Sequence, residues 1–205
     1  MTVYDYRIST GATVTTGTGW LNASVNSTTI IGTSGTAFST QLHAGDLLIV
    51  GATYIGPILS IADNTHLTLQ HGCPIVLSNN AFTFDPMVNV ETLDSGKMTA
   101  PKGDYQPWAM SVPTGDGLAR GLGRPVAQWR WNAGAQDYLT VSSRDALRAY
   151  CTGKSARVFI RTRTFETTDS FATFQAAMIW PDKEERDFLG VRRGFMIEFR
   201  DLLAL

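Results

Sequence analysis

The chain has 205 residues and 22.4 kDa, with 17 basic and 18 acidic side chains, 17% charged and 43% hydrophobic. Its near-neutral balance excludes general nucleic-acid binding by charge, and two cysteines exclude a disulfide-dense scaffold or a Cys-rich zinc site. No apolar run approaches the ~18–20 residues of a membrane span, and Met1-Thr2-Val3-Tyr4-Asp5 has no basic-then-apolar pattern, so no secretory signal is expected there.

Charge is unevenly distributed. Residues 1–90 hold one basic side chain, Arg7, and four acidic ones, Asp5, Asp46, Asp63 and Asp85. Small polar residues fill the start of the chain: residues 1–40 contain eleven Thr, five Ser and five Gly. The shift in surface character predicts two domains with a boundary near 88–92, after Asp85-Pro86. The first, 1–90, reads as a small all-β module. Thr28-Thr29-Ile30-Ile31 is a short strand ended by Gly32 to Gly35, and Leu47-Leu48-Ile49-Val50 is a continuous apolar run between Ala44-Gly45-Asp46 and Gly51. Tyr54 to Ile61 forms a third strand, bent where Gly56-Pro57 interrupts the ladder. Asp63-Asn64 is a turn, Leu67-Thr68-Leu69 alternates, and Phe82-Thr83-Phe84 closes the module. Five or six short strands without a helix predict a small barrel or sandwich.

Residues 91–125 are rich in Gly and Pro and poor in periodicity, which predicts a connector or arm with one or two edge strands. Val126 to Trp131 then alternates as a strand. A helix follows over about 143–152: Ser142 or Ser143 is placed to cap it, Ser142-x-x-Asp145 resembles a capping box, and Gly153 stops it near Lys154. Three strands end the chain, at Ala156–Phe165, Phe171–Trp180 and Gly194–Leu202, with a polar excursion from Pro181 to Gly190 before the last.

Chemistry is sparse. There is no G-x-S-x-G elbow, H-E-x-x-H, Walker or EF-hand pattern, so no catalytic, cofactor or metal residues are expected. His71 and Cys73 are too few for zinc, and His43 and His66 read as polar turn residues. Gly115 to Gly123 resembles a phosphate loop, but no helix follows to hold an anion. Asp182, Glu184, Glu185 and Asp187 are interleaved with Lys183 and Arg186 and read as a solvated turn. Asn22-Ala23-Ser24 and Asn26-Ser27-Thr28 match the glycosylation sequon, read as chance in so Asn/Ser/Thr-rich a segment. More informative are Arg157, Arg161 and Arg163, which share one strand face with Phe159 and Phe165. Such a face is either solvent-exposed or an interface or pore lining. Of the five tryptophans, Trp129, Trp131 and Trp180 sit in alternating strands and read as core. Trp20 and Trp108 lie in loop-like stretches and are candidates for contact with a partner.

Two stretches resemble proteins of tailed-bacteriophage virions. The first is Asn26-Ser27-Thr28-Thr29-Ile30-Ile31-Gly32-Thr33, Gly35-Thr36-Ala37-Phe38, Ala44-Gly45-Asp46-Leu47-Leu48-Ile49 and Asp63-Asn64-Thr65-His66-Leu67-Thr68-Leu69. It resembles a small β module of virion proteins. The second comprises Gly121 to Trp131, Arg144-Asp145-Ala146-Leu147-Arg148, Ser155 to Thr164 and Phe195-Met196-Ile197-Glu198-Phe199-Arg200. It looks like phage minor tail or distal-tail (tail-tip) proteins. That resemblance implies a tail-tube-like β-sandwich with one flanking helix over 126–205, self-associating as a hexameric ring among other phage tail proteins in the virion tail. The charge balance and the lack of a long apolar run lead to the expectation of no membrane and no sequence-specific nucleic acid as partners. The main tube subunit and a head–tail connector are open alternatives, as is a receptor- or carbohydrate-binding module using Trp20 and Trp108.

Overall fold

The structure, a computed structural model, describes residues 5–33, 35–96, 98–113, 119–131, 138–164, 170–183 and 192–205. The fold is mainly β, built from antiparallel sheets. Two compact units divide the chain: one joins the residues before Ser9 to Val88–Ala204, and the other is Ser9–Met87. The smaller unit is therefore an insertion, not the 1–90 module expected. The first strand, β1 (Arg7–Ser9), pairs Arg7 with Asn89 and Ile8 with Val88, in the sheet of the larger unit. Ile8 and Tyr6 are buried in that unit's core, which is what draws the strand there.

The insertion contains β2 (Thr15–Thr16), β3 (Trp20–Ala23), β4 (Thr29–Thr33), the one-turn helix α1 (Phe38–Gln41) and β5 (Leu47–Val50). After these come β6 (Thr53–Ile61), β7 (His66–Leu69), β8 (Leu77–Asn80) and β9 (Thr83–Asp85). They form one eight-stranded sheet in the order β2-β9-β5-β6-β7-β4-β3-β8. Long β6 pairs with β5 through its first half and with β7 through its second. The register shifts where Leu48 faces Gly56 and Ile49 faces Tyr54, so the expected bend at Gly56-Pro57 is a bulge. Leu48 and Phe84 from one half meet Leu21, Ile30, Leu67 and Leu77 from the other in a single core. The sheet thus folds over on itself, the arrangement expected of a small barrel or sandwich. Helix α1 was not expected. It has no side-chain cap and is held by Phe38, fully buried with its ring edge-on to Phe82 at 6.1 Å.

The larger unit continues with β10 (Val88–Asn89), a 3-10 turn at Val90–Thr92, the single turn α2 (Leu93–Gly96), β11 (Lys102–Gln106), β12 (Met110–Pro113) and β13 (Ala119–Leu122). Then come β14 (Val126–Trp131), β15 (Tyr138–Leu139), α3 (Val141–Arg148), β16 (Ser155–Arg163), β17 (Phe171–Ile179), β18 (Arg192–Arg193) and β19 (Phe195–Ala204). Seven strands make its main sheet, β10-β1-β16-β17-β19-β14-β11. Inward residues alternate as the sequence predicts: Trp129 and Trp131 on β14, and Phe195, Ile197 and Phe199 on β19, are buried, as is Trp180.

This sheet rolls until its distant strands face one another. Trp129 on β14 donates its Nε1–H to Thr162 Oγ1 on β16 at 3.0 Å, and Tyr105 on β11 stacks on Phe174 of β17 at 5.9 Å. Tyr6 lies edge-on to Trp129 at 5.7 Å and accepts the Gly103 N–H at its hydroxyl, 3.1 Å. A bulge assists the roll: pairing of β17 with β19 shifts between Gln175 and Ala177, opposite Asp201 at φ 54.

Helix α3 begins slightly earlier than expected. Thr140, not Ser142 or Ser143, is the N-cap and accepts the Ser143 N–H at 3.1 Å. Asp145 pairs with Arg144 at 2.7 Å instead of closing a capping box. The carboxylate serving this end is Asp94 of α2, which accepts the hydroxyls of Ser142 (2.7 Å) and Ser143 (2.9 Å). At the other end Arg148, not Lys154, donates to the Thr152 and Gly153 carbonyls. Lys154 bonds the Trp180 carbonyl and Asp182.

Candidate functional site

The arginine face expected on β16 is not continuous. Arg157 is exposed and donates to Gln175 Oε1 at 2.9 Å, and Arg163 is half-buried. Arg161 is buried, only 6% exposed, because a carboxylate waits for it. Its Nε donates to Asp5 Oδ2 at 2.7 Å, while Arg7 holds Asp5 Oδ1 at 2.5 Å. Its Nη1 is buried without a hydrogen-bond acceptor among the described residues. Arg161 therefore belongs to an internal ion pair and not to a docking face, and nothing in the sequence pairs it with a residue so far upstream. Phe165, the aromatic expected beside it, lies outside the described residues.

Among the described residues no cluster of three His, Cys, Asp or Glu could hold a metal. Cys73 and Cys151 are buried free thiols, and burial raises the Cys151 thiol above its ordinary value. His66 faces Asp63 in a turn at 2.9 Å, where the backbone N–H and hydroxyl of Thr65 hold the Asp63 carboxyl down to about 2. Asp182 is exposed and paired with Lys154. Glu184, Glu185 and Asp187, and Asp116 of the glycine-rich loop, lie outside the described residues. No described helix is long and apolar enough to cross a membrane.

Exposed apolar side chains are scattered over the described residues, and two groups of them that include a tryptophan lie on paired strands. In the larger unit, β12 and β13 form a two-stranded ribbon outside the main sheet, within the predicted arm. Met110 and Leu122 are directly opposed and 58% and 50% exposed. Trp108 lies over Gly121, where a Cβ would come within 2.5 Å of its ring, and is itself 46% exposed. Successive residues of a strand face opposite ways, so Trp108 covers the face opposite Met110 and Leu122. The ribbon thus displays apolar side chains on both faces, with Arg120, opposite Val112, on the face of Met110 and Leu122. Beside it in sequence, β11 ends the main sheet with Asp104 paired to Arg130 of β14 at 3.2 Å.

The second group is in the insertion, where Trp20 opens β3 at 45% exposure and Ile31 of β4 is 46% exposed. Trp20 and Trp108 are thus both at the surface, on different units, although Trp20 begins strand β3 and does not lie in the loop expected of it. Sequence reasoning missed Met110, Leu122 and Ile31. Their apolar character was visible, but which strand faces lacked a cover was not. Comparison with protein-family models, curated proteins and solved structures finds no match, so these surfaces are read from their own residues.

Proposed function

We propose that the chain is a structural subunit of a tailed-phage virion, a ring-forming component of the distal tail or tail tip. The observation that carries this reading is the β12–β13 ribbon. A two-stranded ribbon is marginal alone in water, and one that displays Met110 and Leu122 on one face and Trp108 on the other gains its stability by burying both. A neighbouring copy in a ring supplies that cover, and β11, an end strand of the main sheet among the described residues, offers a second contact by strand addition. The stretches Gly121–Trp131 and Ser155–Thr164, similar to distal-tail proteins, fall on the ribbon's second strand, β14 and β16 and support the same reading. In this assembly the other partners are tail proteins, and the place of action is the virion tail.

Mass measurement across concentration with negative-stain imaging tests the proposal. Rings with a central hole are expected, shifting to monomer in Met110→Ser/Leu122→Ser while the fold persists. A protein that stays monomeric at every concentration, alone and with its neighbouring tail proteins, overturns it.

A further inference from the structure

The insertion carries a feature that assembly does not use. Between Ser9 and Met87 there is no Lys, Arg or Glu, and only three Asp. Asp46 and Asp85 are fully buried, which leaves Asp63 as the single exposed carboxylate of the unit. A surface of hydroxyls and carboxamides with almost no formal charge has no complement for an acidic glycan, a nucleic acid or an anionic membrane.

On that surface Trp20, Asn22, Ile31 and Thr33 share the outer face of β3 and β4, with Trp20 directly opposite Thr33 and Asn22 opposite Ile31. Asn79 joins them from β8, where the pairing with β3 shifts register and Asn79 takes a left-handed φ of 51. The displaced residue is locked in place. Its backbone N–H donates to Asn22 Oδ1 at 2.9 Å, and its Oδ1 accepts from Asn22 Nδ2 at 3.3 Å and Thr33 Oγ1 at 3.4 Å. These bonds orient the Asn79 carboxamide and leave its NH₂ without an acceptor among the described residues, like the Trp20 indole N–H. A flat aromatic surface next to fixed amide and hydroxyl groups matches the two faces of a pyranose ring: C–H groups for stacking, hydroxyls that both donate and accept.

We propose that Trp20, Asn22, Thr33 and Asn79 form a binding site for a neutral saccharide, with Trp20 stacking on a sugar ring and Asn79 hydrogen-bonding its hydroxyls. The ordered carboxamides lower the entropy lost on binding, which suits a shallow site that works through many copies.

The test uses the whole ¹⁵N-labelled protein and the indole N–H resonances, with Trp20 assigned by Trp20→Phe. Lactose, cellobiose, maltose and N-acetyllactosamine are titrated to about 10 mM, above the ~1 mM of weak ligand binding, alongside sialyllactose and a sulfated oligosaccharide. The Trp20 resonance shifts with at least one neutral sugar, equally at low salt and at about 0.5 M salt, while the Trp108 resonance does not move. Trp20→Ala, read by the Asn79 side-chain amide resonance, weakens binding at least about tenfold, and Asn79→Ala, read by the Trp20 indole, about three- to tenfold, since one hydrogen bond contributes about that factor. Trp108→Ala leaves binding unchanged. Failure of every neutral sugar to move Trp20, preference for the acidic glycans, or binding that survives Trp20→Ala overturns the proposal. These outcomes are independent of ring formation.

Discussion

Asp5→Asn is the substitution that most directly tests the interior of the larger unit. Asp5 accepts from both Arg7 and Arg161, and Arg161 is 7% exposed in its side chain. Each pair at contact distance is worth about 4 kcal/mol of attraction at an effective dielectric of about 20, offset by several kcal/mol for taking each ion out of water. With the carboxylate neutralised, the attraction is lost while the Arg161 guanidinium remains desolvated. Because Asp5 itself is 19% exposed, the expected loss falls near the low end for buried pairs, about 3 kcal/mol. Arg161→Met is expected to be milder, about 1 kcal/mol. It removes the buried charge and its unaccepted Nη1, fills the space with an apolar chain, and keeps the Asp5–Arg7 pair. Urea unfolding followed by tryptophan fluorescence in a Trp20→Phe background reads this unit, since Trp129, Trp131 and Trp180 all lie in its core and Trp20 belongs to the insertion. Arg161→Met costing as much as Asp5→Asn, or Asp5→Asn costing under about 1 kcal/mol, would refute the argument that the stranded charge dominates.

Burial raises the Asp85 carboxyl above its ordinary 3.8, although the Ser9 hydroxyl that donates to it acts the other way. The folded insertion then holds that proton more tightly than the unfolded chain, so this group's contribution falls as pH rises from 3.8 through the raised value. Asp85→Asn, which keeps an acceptor for Ser9, should gain stability relative to wild type across that rise, measured by thermal unfolding over a pH series. Thr140→Ala removes the α3 cap and is expected to cost about 1 kcal/mol in urea unfolding, with Thr140→Ser restoring most of it. Gly103→Ala would place a Cβ 2.6 Å from the Tyr6 hydroxyl and should destabilise by about 1–3 kcal/mol. Tyr6→Phe, which removes the hydroxyl that accepts the Gly103 N–H but creates no clash, should cost less in the same assay.

Strands whose pattern is local were legible in the sequence. Leu47–Val50 and Val126–Trp131 begin and end where apolar continuity and alternation place them. Strand β8 was not, because Ser78-Asn79-Asn80 has turn composition and pairs only through a bulge. Strand β3 was hidden by Gly19 and Asn22, and its pairing depends on Leu21 entering a core assembled from distant strands. The same holds for Arg161, whose exposure was inferred from its strand face while its partner Asp5 lies 156 residues away. Exposed Trp20 and Trp108 were legible because exposure needs no partner. Their surroundings were not, since Asn79 reaches Asn22 and Thr33, and Gly121 comes beneath Trp108, only through tertiary pairing.

The insertion leaves the host sheet and returns to it at one rung of a ladder: Ile8 pairs directly with Val88, while Ser9 bonds Asp85 and the Met87 N–H donates to Asp46. This has a consequence for the order of folding. Joining β1 to β10 across an unstructured stretch of that length carries a large closure entropy and a late, slow step. Once the insertion has folded, its clamped ends behave as a short turn, and β1 and β10 meet as the arms of a hairpin. Because residues 9–87 leave the ribosome well before β16, an insertion that folds as it emerges would present β1 and β10 as a ready-made edge for β16, the neighbour of β1 in the finished sheet.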